Sequence, residues 1–272
     1  MSAVHVVDLN ADLGEGFGAW RVGDDGALLE VVTSANIACG FHAGDPSILR
    51  ATVRRAAEAG VAIGAHPGWP DLWGFGRRAW ADATPDDTEA ILLYQLGAFV
   101  ALCRTDGLQL EHIKLHGALA HQTAESFELA TAAANAIGAI AAQLPPTNGR
   151  VAWTVLPNSA QEKACRMAGL RPIFEAYVDR AYGSDGRLLP RGQLGALLTD
   201  PWRVANCAVE MVRRQALATV KGTWLPTQID TLCVHGDTPN AIEIARSVRH
   251  GLEKAGLRVL APRHGAFAPP IA

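Results

Sequence analysis

Ile113-Lys114-Leu115-His116-Gly117 is a short, mainly apolar run that ends in a histidine followed directly by glycine. Three more runs end in a similar way, at residues 37–44, 61–68 and 231–237. A short apolar run closed by glycine or proline predicts a buried strand that ends at a turn. Titratable side chains repeated at several strand ends are typical of an active site in an α/β barrel. The histidines at these four ends are His42, His66, His116 and His235.

The rest of the chain alternates short apolar runs with longer amphipathic segments. The predicted strands cover residues 4–9, 35–39, 61–65, 112–115, 151–156, 173–177 and 229–234. The predicted helices cover residues 25–33, 46–59, 84–104, 126–143, 159–168, 201–218 and 239–255. This alternation predicts an α/β fold, an irregular β/α (TIM-like) barrel of about seven strands, with an open doubly wound sheet as the main alternative. We expect a single barrel domain over residues 1–260 and an extended C-terminal tail over residues 261–272.

Several connections stand out from this pattern. Gly14-Glu15-Gly16-Phe17-Gly18 lacks the spacing of a nucleotide-binding fingerprint, and we interpret it as a flexible loop. Residues 145–149 are interpreted as a turn. The long connections at residues 67–83 and 179–199 are typical of functional or covering segments. The first of them carries three tryptophans that indicate a lid or an interface, namely Trp69, Trp73 and Trp80.

The composition argues against several classes of partner. The chain has 272 residues and a formal net charge of -3, so it carries no basic footprint for nucleic acid or for an anionic membrane. No apolar run approaches the length of about 20 residues that spans a bilayer, and the N-terminal segment reaches Asp8 too early for a signal-peptide core. The five cysteines are odd in number and contain no Cys-x-x-Cys pair. We therefore expect free thiols and a cytoplasmic location.

Three polar residues alternate along the first predicted strand: Asp8, Asn10 and Asp12. At alternate positions they share one face of the strand, which in a barrel is the interior. Carboxylates on that face can bind a metal, act as a base or orient a histidine. An internal salt-bridge network is the structural alternative.

Asp12, His42 and His66 form a set that could hold a divalent ion with open positions, although no local metal-binding spacing accompanies them. Lys114 and His116 flank Leu115, so both point to the same face of their strand. A lysine on that face can neutralise an anionic substrate or a developing oxyanion. Its alternative role is a stabilising pair with Asp8 or Asp12.

Two further polar segments follow the last predicted strands. Asp179 and Arg180 follow the sixth strand, where the arginine can bind a carboxylate or phosphate and the aspartate can hold it in place. A surface ion pair is the alternative for these two residues. Asp237 lies two residues after His235, and it is either a site residue or the cap of the next helix.

Seven segments, taken together and in order, resemble the LamB/YcsF family. They are residues 8–18, 34–46, 64–68, 74–78, 114–119, 179–182 and 234–237. The most specific is SANIACGFHAGDP at residues 34–46. The resemblance implies a barrel related to the glycoside hydrolase/deacetylase superfamily. It also implies ATP-dependent opening of the lactam ring of 5-oxoproline (pyroglutamate) to L-glutamate, carried out with two partner subunits of the B and C type.

This chemistry needs a base, cationic groups and an acid, and the polar residues offer candidates for each. The expected catalytic residues are Asp12, His66, Lys114, His116 and His235. The expected substrate-binding residues are Asp8, Asn10, Asn36, His42, Asp45, Asp179, Arg180 and Asp237. ATP is expected on this chain or on one of its partners, and a divalent metal is a further candidate at Asp12, His42 and His66. Two other functions stay open: a metal-dependent amide hydrolase or deacetylase that works without ATP, and a non-catalytic substrate-binding subunit.

Overall fold

The computed structural model describes residues 6–144 and 151–262. The strands are β1 (Val6–Leu13), β2 (Ser34–Ala38), β3 (Ala62–His66), β4 (His112–Lys114), β5 (Ala152–Val155), β6 (Arg171–Tyr177), β7 (Ala216–Ala218), β8 (Trp224–Pro226), β9 (Thr231–Val234) and β10 (Arg258–Val259). The helices are α1 (Asp25–Leu29), α2 (Pro46–Glu58), α3 (Pro85–Thr105), α4 (Gly117–Glu125), α5 (Phe127–Ala141), α6 (Ala160–Met167), α7 (Pro201–Arg214) and α8 (Ala241–Lys254).

Eight of these strands form one sheet, in the order β10-β1-β2-β3-β4-β5-β6-β9, and β1 also pairs with β9. This additional pairing closes a seven-stranded parallel barrel of β1 to β6 and β9. The predicted α/β barrel is confirmed. Within the described residues, no helix is both long and apolar enough to cross a membrane.

The described chain contains two compact units. The first unit holds residues up to 11, residues 23–34 and the chain from residue 174 onward, and the second holds residues 12–22 and 35–173. The single domain over residues 1–260 therefore stays a prediction. Residues 4 and 5 of the first predicted strand and the turn at 145–149 lie outside the described residues, as does the predicted tail beyond residue 262.

In the first unit, β9 pairs in parallel with β1 on one side and with β6 on the other. Asp8 lies opposite Thr231 in the first pairing, and Glu175 lies opposite Thr231 in the second. Helices α7 and α8 pack closely at Gly251, where an added Cβ would lie 3.5 Å from a methyl group of Val209.

In the second unit, β3, β4 and β5 pair in parallel, with Gly64 opposite His112 and Lys114 opposite Thr154. Helices α2 and α3 begin where capping residues predict. Asp45 caps α2 ahead of Pro46, and Thr84 forms a reciprocal capping box with Asp87 at the start of α3.

Four sequence expectations about these elements are wrong. The helix predicted over residues 25–33 ends at Leu29. The first strand does not end at residue 9 but continues to Leu13, so the alternating polar residues lie inside it. The helix predicted over residues 201–218 ends at Arg214, because Gln215 adopts a left-handed φ of 47° and residues 216–218 pair with β8 instead. The last helix begins at Ala241 after Asn240, at a φ of 63°, and not at Pro239.

Candidate functional site

The polar face of β1 is buried along its whole length. Asp8, Asn10 and Asp12 are at most 4% exposed, and they alternate with the fully buried Leu9 and Ala11. Burying carboxylates and an amide is unfavourable unless each group finds hydrogen-bond partners. The partners of these three side chains therefore define the polar interior.

Asp8 lies in a cradle of hydroxyl groups within the first unit. Thr33 and Ser34 donate hydrogen bonds to its Oδ1 at 2.6 and 2.7 Å, and Thr231 donates to its Oδ2. Burial nevertheless dominates and raises the pKa of Asp8 to about 6, with the Glu175 carboxylate adding to the effect. Asp8 therefore sits among fixed hydrogen-bond donors, as a structural carboxyl group would.

Asn10 continues this network towards β6 and β9. Its Nδ2 donates to Oε1 of Glu175 at 3.1 Å and to Oγ1 of Thr231 at 2.7 Å. Glu175 is buried, and sequence reasoning missed it. The sequence signal for Glu175 was a single carboxylate among the apolar residues of β6.

Asp12 is the centre of a second network, within the second unit. Lys114 Nζ and Asn36 Nδ2 both donate to Oδ1 of Asp12, at 2.8 and 2.9 Å. Oδ2 of Asp12 lies 3.4 Å from Nε2 of His66. Sequence analysis left open a stabilising pair of Lys114 with Asp8 or Asp12, and the structure contains the pair with Asp12. All four side chains of this network are buried.

His112 extends this network and was not among the predicted site residues. Its Nε2 donates to Oδ1 of Asn36 at 2.9 Å, and burial together with the positive charge of Lys114 lowers its pKa to about 3. Gly64 leaves room for the ring, because an added Cβ there would lie 2.1 Å from Nε2. The signal for His112 was the alternation of residues 112, 114 and 116 on one strand face.

Three histidines and Glu15 meet next to Asp12. Nε2 of His66 lies 3.0 Å from Nδ1 of His116, and Oε1 of Glu15 lies 3.3 Å from Nε2 of His42 and 3.5 Å from Nδ1 of His116. The rings of His42 and His116 stack at 3.7 Å between centroids. One ligand atom from each of the four side chains lies within 4.8 Å of the others, so this group could hold a metal ion.

The predicted metal candidates overlap with this group only in part. His42 and His66 belong to it, whereas Asp12 touches it through its contact with His66. Glu15 and His116 complete it. Sequence reasoning missed Glu15 because its neighbours are glycines, which suggested a flexible loop.

That glycine-rich loop is held in place rather than flexible. Gly44 donates its backbone N–H to the Gly16 carbonyl at 2.8 Å, and Gly18 donates to Oδ2 of Asp45 at 2.8 Å. The other oxygen of Asp45 caps helix α2, and the hydrogen bonds from this helix end and from Gly18 lower the pKa of Asp45. Asp45, predicted to bind substrate, thus anchors the loop that carries Glu15.

Burial lowers the pKa of both stacked histidines well below the usual value. For His42 the neighbouring His66 adds to the effect, and for His116 both His42 and His66 do so. These rings are therefore neutral imidazoles at neutral pH, and each offers a lone pair on one nitrogen.

Part of the long connection at residues 67–83 covers the histidines. Phe75, at a positive φ of 55°, accepts a hydrogen bond from Nε2 of His116 through its carbonyl oxygen. An added Cβ at Gly76 would lie 2.7 Å from both His42 and His116, so the backbone is pressed against the two rings. The three tryptophans of this connection behave differently: Trp69 and Trp80 pack edge to face, whereas Trp73 is 91% exposed.

The first unit contains a separate Asp–His pair. Nδ1 of His235 donates to Oδ1 of Asp179 at 2.9 Å, and the Tyr177 ring stacks on the imidazole. Burial alone would raise the pKa of Asp179, but the charge interaction and hydrogen bonds with His235 and the hydrogen bond from Thr238 outweigh it and lower the pKa. An aspartate on Nδ1 leaves Nε2 as the nitrogen available for proton transfer.

The remaining predicted residues lie in the same unit. Arg180 is buried and donates to the Leu189 carbonyl at 2.7 Å, so it is not in a surface pair. Asp237 lies 3.4 Å from the Arg191 guanidinium, and it does not cap α8, which begins after Asn240.

The strand order defines an α/β-barrel protein, a class whose enzymes carry their active sites at the carboxyl ends of the strands. The LamB/YcsF family model matches residues 7–266, and the chain belongs to this family. The resemblance seen in the sequence is thereby confirmed.

Relatives at high identity span nearly the whole chain. The chain is 48% identical to the A-type subunit of 5-oxoprolinase from Azorhizobium caulinodans over 97% of its own length and 99% of that protein. It is 47% identical to the A-type 5-oxoprolinase subunit of Chloroflexus aggregans, over 94% and 99% of the two chains. The crystal structure of the lactam utilization protein from Thermus thermophilus superposes with a TM-score of 0.85 at 44% identity, over 94% and 99%.

Proposed function

We propose that this chain is the A-type subunit of an ATP-dependent 5-oxoprolinase, which opens the lactam of 5-oxoproline to L-glutamate together with two further subunits. The names of its relatives support the lactam substrate and the assembly with partners. The observation that carries the proposal is the buried ion pair of Asp12 and Lys114 beside His66. We further propose a cytoplasmic location, supported by five free cysteines.

The chemistry requires activation of an unreactive amide. Transfer of the γ-phosphoryl group of ATP to the lactam carbonyl oxygen gives ADP and an activated ring that water can attack. Attack breaks the ring C–N bond, the ring nitrogen takes up a proton, and inorganic phosphate leaves. The enzyme therefore needs a base for water, cations for anionic oxygens and an acid for nitrogen.

In the second unit, we propose that Asp12 or His66 is the base, Lys114 binds an anionic oxygen, and His116 is a candidate acid. Lys114 is suited to its role because its ammonium group is buried and already faces an anion at 2.8 Å. In the first unit, His235 is the alternative acid, oriented by Asp179, and Arg180 is a second candidate for binding anionic oxygens.

A second candidate function is a metal-dependent amide hydrolase that does not use ATP. The grouping of Glu15, His42, His66 and His116 favours it, since imidazole and carboxylate ligands suit a catalytic divalent ion. In that case amide cleavage would need the chain and its ion but no nucleotide.

The experiment measures ATP hydrolysis and glutamate formation from 5-oxoproline, with the chain alone and with its partner subunits. We expect glutamate and ADP in equal amounts, and only when all subunits and ATP are present. Glutamate formed by the chain alone without ATP would favour the metal-dependent hydrolase. Full activity of the partner subunits without this chain would contradict both the ATP-dependent and the metal-dependent function. If the chain then still bound 5-oxoproline, it would be a non-catalytic substrate-binding subunit.

A further inference from the structure

The backbone determines where His66 and His116 carry their ring hydrogens. Nδ1 of His66 lies 2.7 Å from the Lys114 carbonyl oxygen, and Nε2 of His116 lies 2.8 Å from the Phe75 carbonyl oxygen. A carbonyl oxygen only accepts hydrogen bonds, so each of these nitrogens carries a hydrogen. In a ring that carries only this one hydrogen, the other nitrogen is a lone-pair acceptor.

These two lone pairs face each other. Nε2 of His66 and Nδ1 of His116 are 3.0 Å apart. Asp12 places a carboxylate oxygen 3.4 Å from the first nitrogen, and Glu15 places one 3.5 Å from the second. Carboxylate oxygens are acceptors as well, so these contacts join acceptor to acceptor. Lys114 already faces the Asp12 carboxylate, but two lone pairs 3.0 Å apart are unfavourable unless a proton or a metal ion lies between them.

His42 supplies a hydrogen to this group rather than a lone pair. Its Nδ1 is buried and has no hydrogen-bond partner among the described residues, and an added Cβ at Gly68 would lie 2.7 Å from it. A hydrogen on Nδ1 would be an unsatisfied donor, so the hydrogen belongs on Nε2. From there it points to Oε1 of Glu15 at 3.3 Å and orients that carboxylate.

We propose that Oε1 of Glu15, Nε2 of His66 and Nδ1 of His116 bind one divalent first-row transition-metal ion, with His42 hydrogen-bonded to Glu15 beside it. The separations of 3.0 and 3.5 Å around His116 bracket the value of about 3.3 Å expected between ligands of a tetrahedral zinc ion. Each ligand histidine donates its other ring N–H to a backbone carbonyl, as metal-binding histidines usually do. A single proton between the two nitrogens is the alternative explanation of their contact.

The site is defined by ion binding and not by turnover, so the proposal stands independently of the proposed function. The full chain is stripped with a chelator, incubated with Zn²⁺ or Co²⁺, and freed of unbound ion. We expect about one ion per chain by elemental analysis and visible Co²⁺ absorption typical of low coordination number. The ion should also raise the thermal unfolding midpoint, because it binds only the folded state.

Variants then assign the ligands. His66→Asn, His116→Asn and Glu15→Gln should each weaken Co²⁺ binding at least about 100-fold, whereas His42→Asn, which removes a supporting hydrogen bond, should weaken it only about tenfold. His250→Asn, at an exposed position of helix α8, is the matched control and should bind Co²⁺ like the unmodified chain.

The unmodified chain tests the site even if a variant fails to fold. An unmodified chain that keeps no ion after incubation with Zn²⁺ or Co²⁺ would overturn the proposal in favour of a bridging proton. Folded His66→Asn and His116→Asn variants with an unchanged Co²⁺ spectrum would overturn it as well. A loss at His42→Asn as large as at His116→Asn would contradict the role given to His42.

Discussion

Lys114 and Asp12 form a buried ion pair. Both side chains are at most 4% exposed, and their charged atoms are 2.8 Å apart. Desolvating two charges costs several kcal/mol each, so a buried pair is often no more stabilising than apolar residues of the same volume. This is why we propose that the pair serves the reaction, as a positive charge and a carboxylate held in a buried polar interior.

Asp8 predicts a pH dependence of stability at the scale of a single residue. Its folded pKa of about 6 exceeds the ordinary value of 3.8, so the folded state binds the proton more tightly than the unfolded state. The contribution of Asp8 is therefore most favourable below about pH 4 and is lost as the pH rises through 6, by about 3 kcal/mol in total. The Asp8→Asn variant lacks this pH-dependent contribution to the free energy of unfolding.

Urea unfolding of the Asp8→Asn variant and the unmodified chain between pH 4 and pH 7 checks this. The free energy of unfolding of the variant should rise relative to the unmodified chain by up to about 3 kcal/mol across that range. Loss of a hydrogen bond to Thr33 or Ser34 changes the free energy of unfolding of the variant by the same amount at pH 4 and at pH 7. A difference that stays constant with pH would show that Asp8 does not titrate there.

The site residues could be predicted where the sequence pattern itself carries their geometry. Asp8, Asn10 and Asp12 share a strand face because strand periodicity is two, and His66 and Lys114 end apolar runs. Glu15 could not be predicted, since its placement depends on Gly44 and Asp45, which hold the loop from another segment. Long-range contacts of this kind leave no local pattern.

At the scale of elements, the two ends of helix α2 give a matched pair of glycines, Gly44 before the helix and Gly60 after it. Gly44 and Gly60 both have positive φ, at 80° and 70°. An added Cβ at Gly44 would lie 2.8 Å from the Gly14 carbonyl oxygen and 2.9 Å from Cβ of Ala38, whereas at Gly60 nothing lies within 4 Å. Both alanine substitutions therefore strain the backbone, and only one also forces a clash.

Gly60→Ala should lower the free energy of unfolding by about 1–2 kcal/mol, the cost of a left-handed conformation. Gly44→Ala should lower it by about 1–3 kcal/mol more, because the loop or strand β2 must move. Urea unfolding at neutral pH measures both. Equal losses at the two positions would mean that the close approach at Gly44 is relieved without cost.

Elements with complete local signals were predicted to within a few residues. Helices α2 and α3 have a proline in the first turn and a capping side chain before it. Helix α4 was missed because it begins directly after His116, which provides no side-chain cap, and it runs nearly into α5. The end of α7 was misplaced because Gln215 adopts the left-handed conformation that usually marks a glycine.

At the scale of the whole molecule, the relatives constrain the function over nearly the entire chain. The relatives and the solved structure described above cover at least 94% of this chain, and the chain covers 99% of each of them. The match to proteins named for 5-oxoprolinase or lactam utilization therefore extends over nearly the full length of both chains. What distinguishes the proposed roles is the chemistry of individual side chains.

The most direct test of the account is the rate of glutamate formation from 5-oxoproline by the complex assembled with Lys114→Met. We expect a loss of at least about 100-fold, since the variant removes the cation proposed to bind an anionic oxygen. Lys221→Met, at an exposed position between β7 and β8, is the matched control and should leave the rate unchanged. Asp12→Asn provides a second variant if Lys114→Met does not fold, and the same loss is expected.

Circular dichroism and co-purification with the partner subunits establish that each variant is folded and assembled. With both conditions met, we expect a rate near background for Lys114→Met and Asp12→Asn and a normal rate for Lys221→Met. Near-normal glutamate formation by folded, assembled Lys114→Met and Asp12→Asn complexes would contradict the central claim that this buried pair carries the reaction.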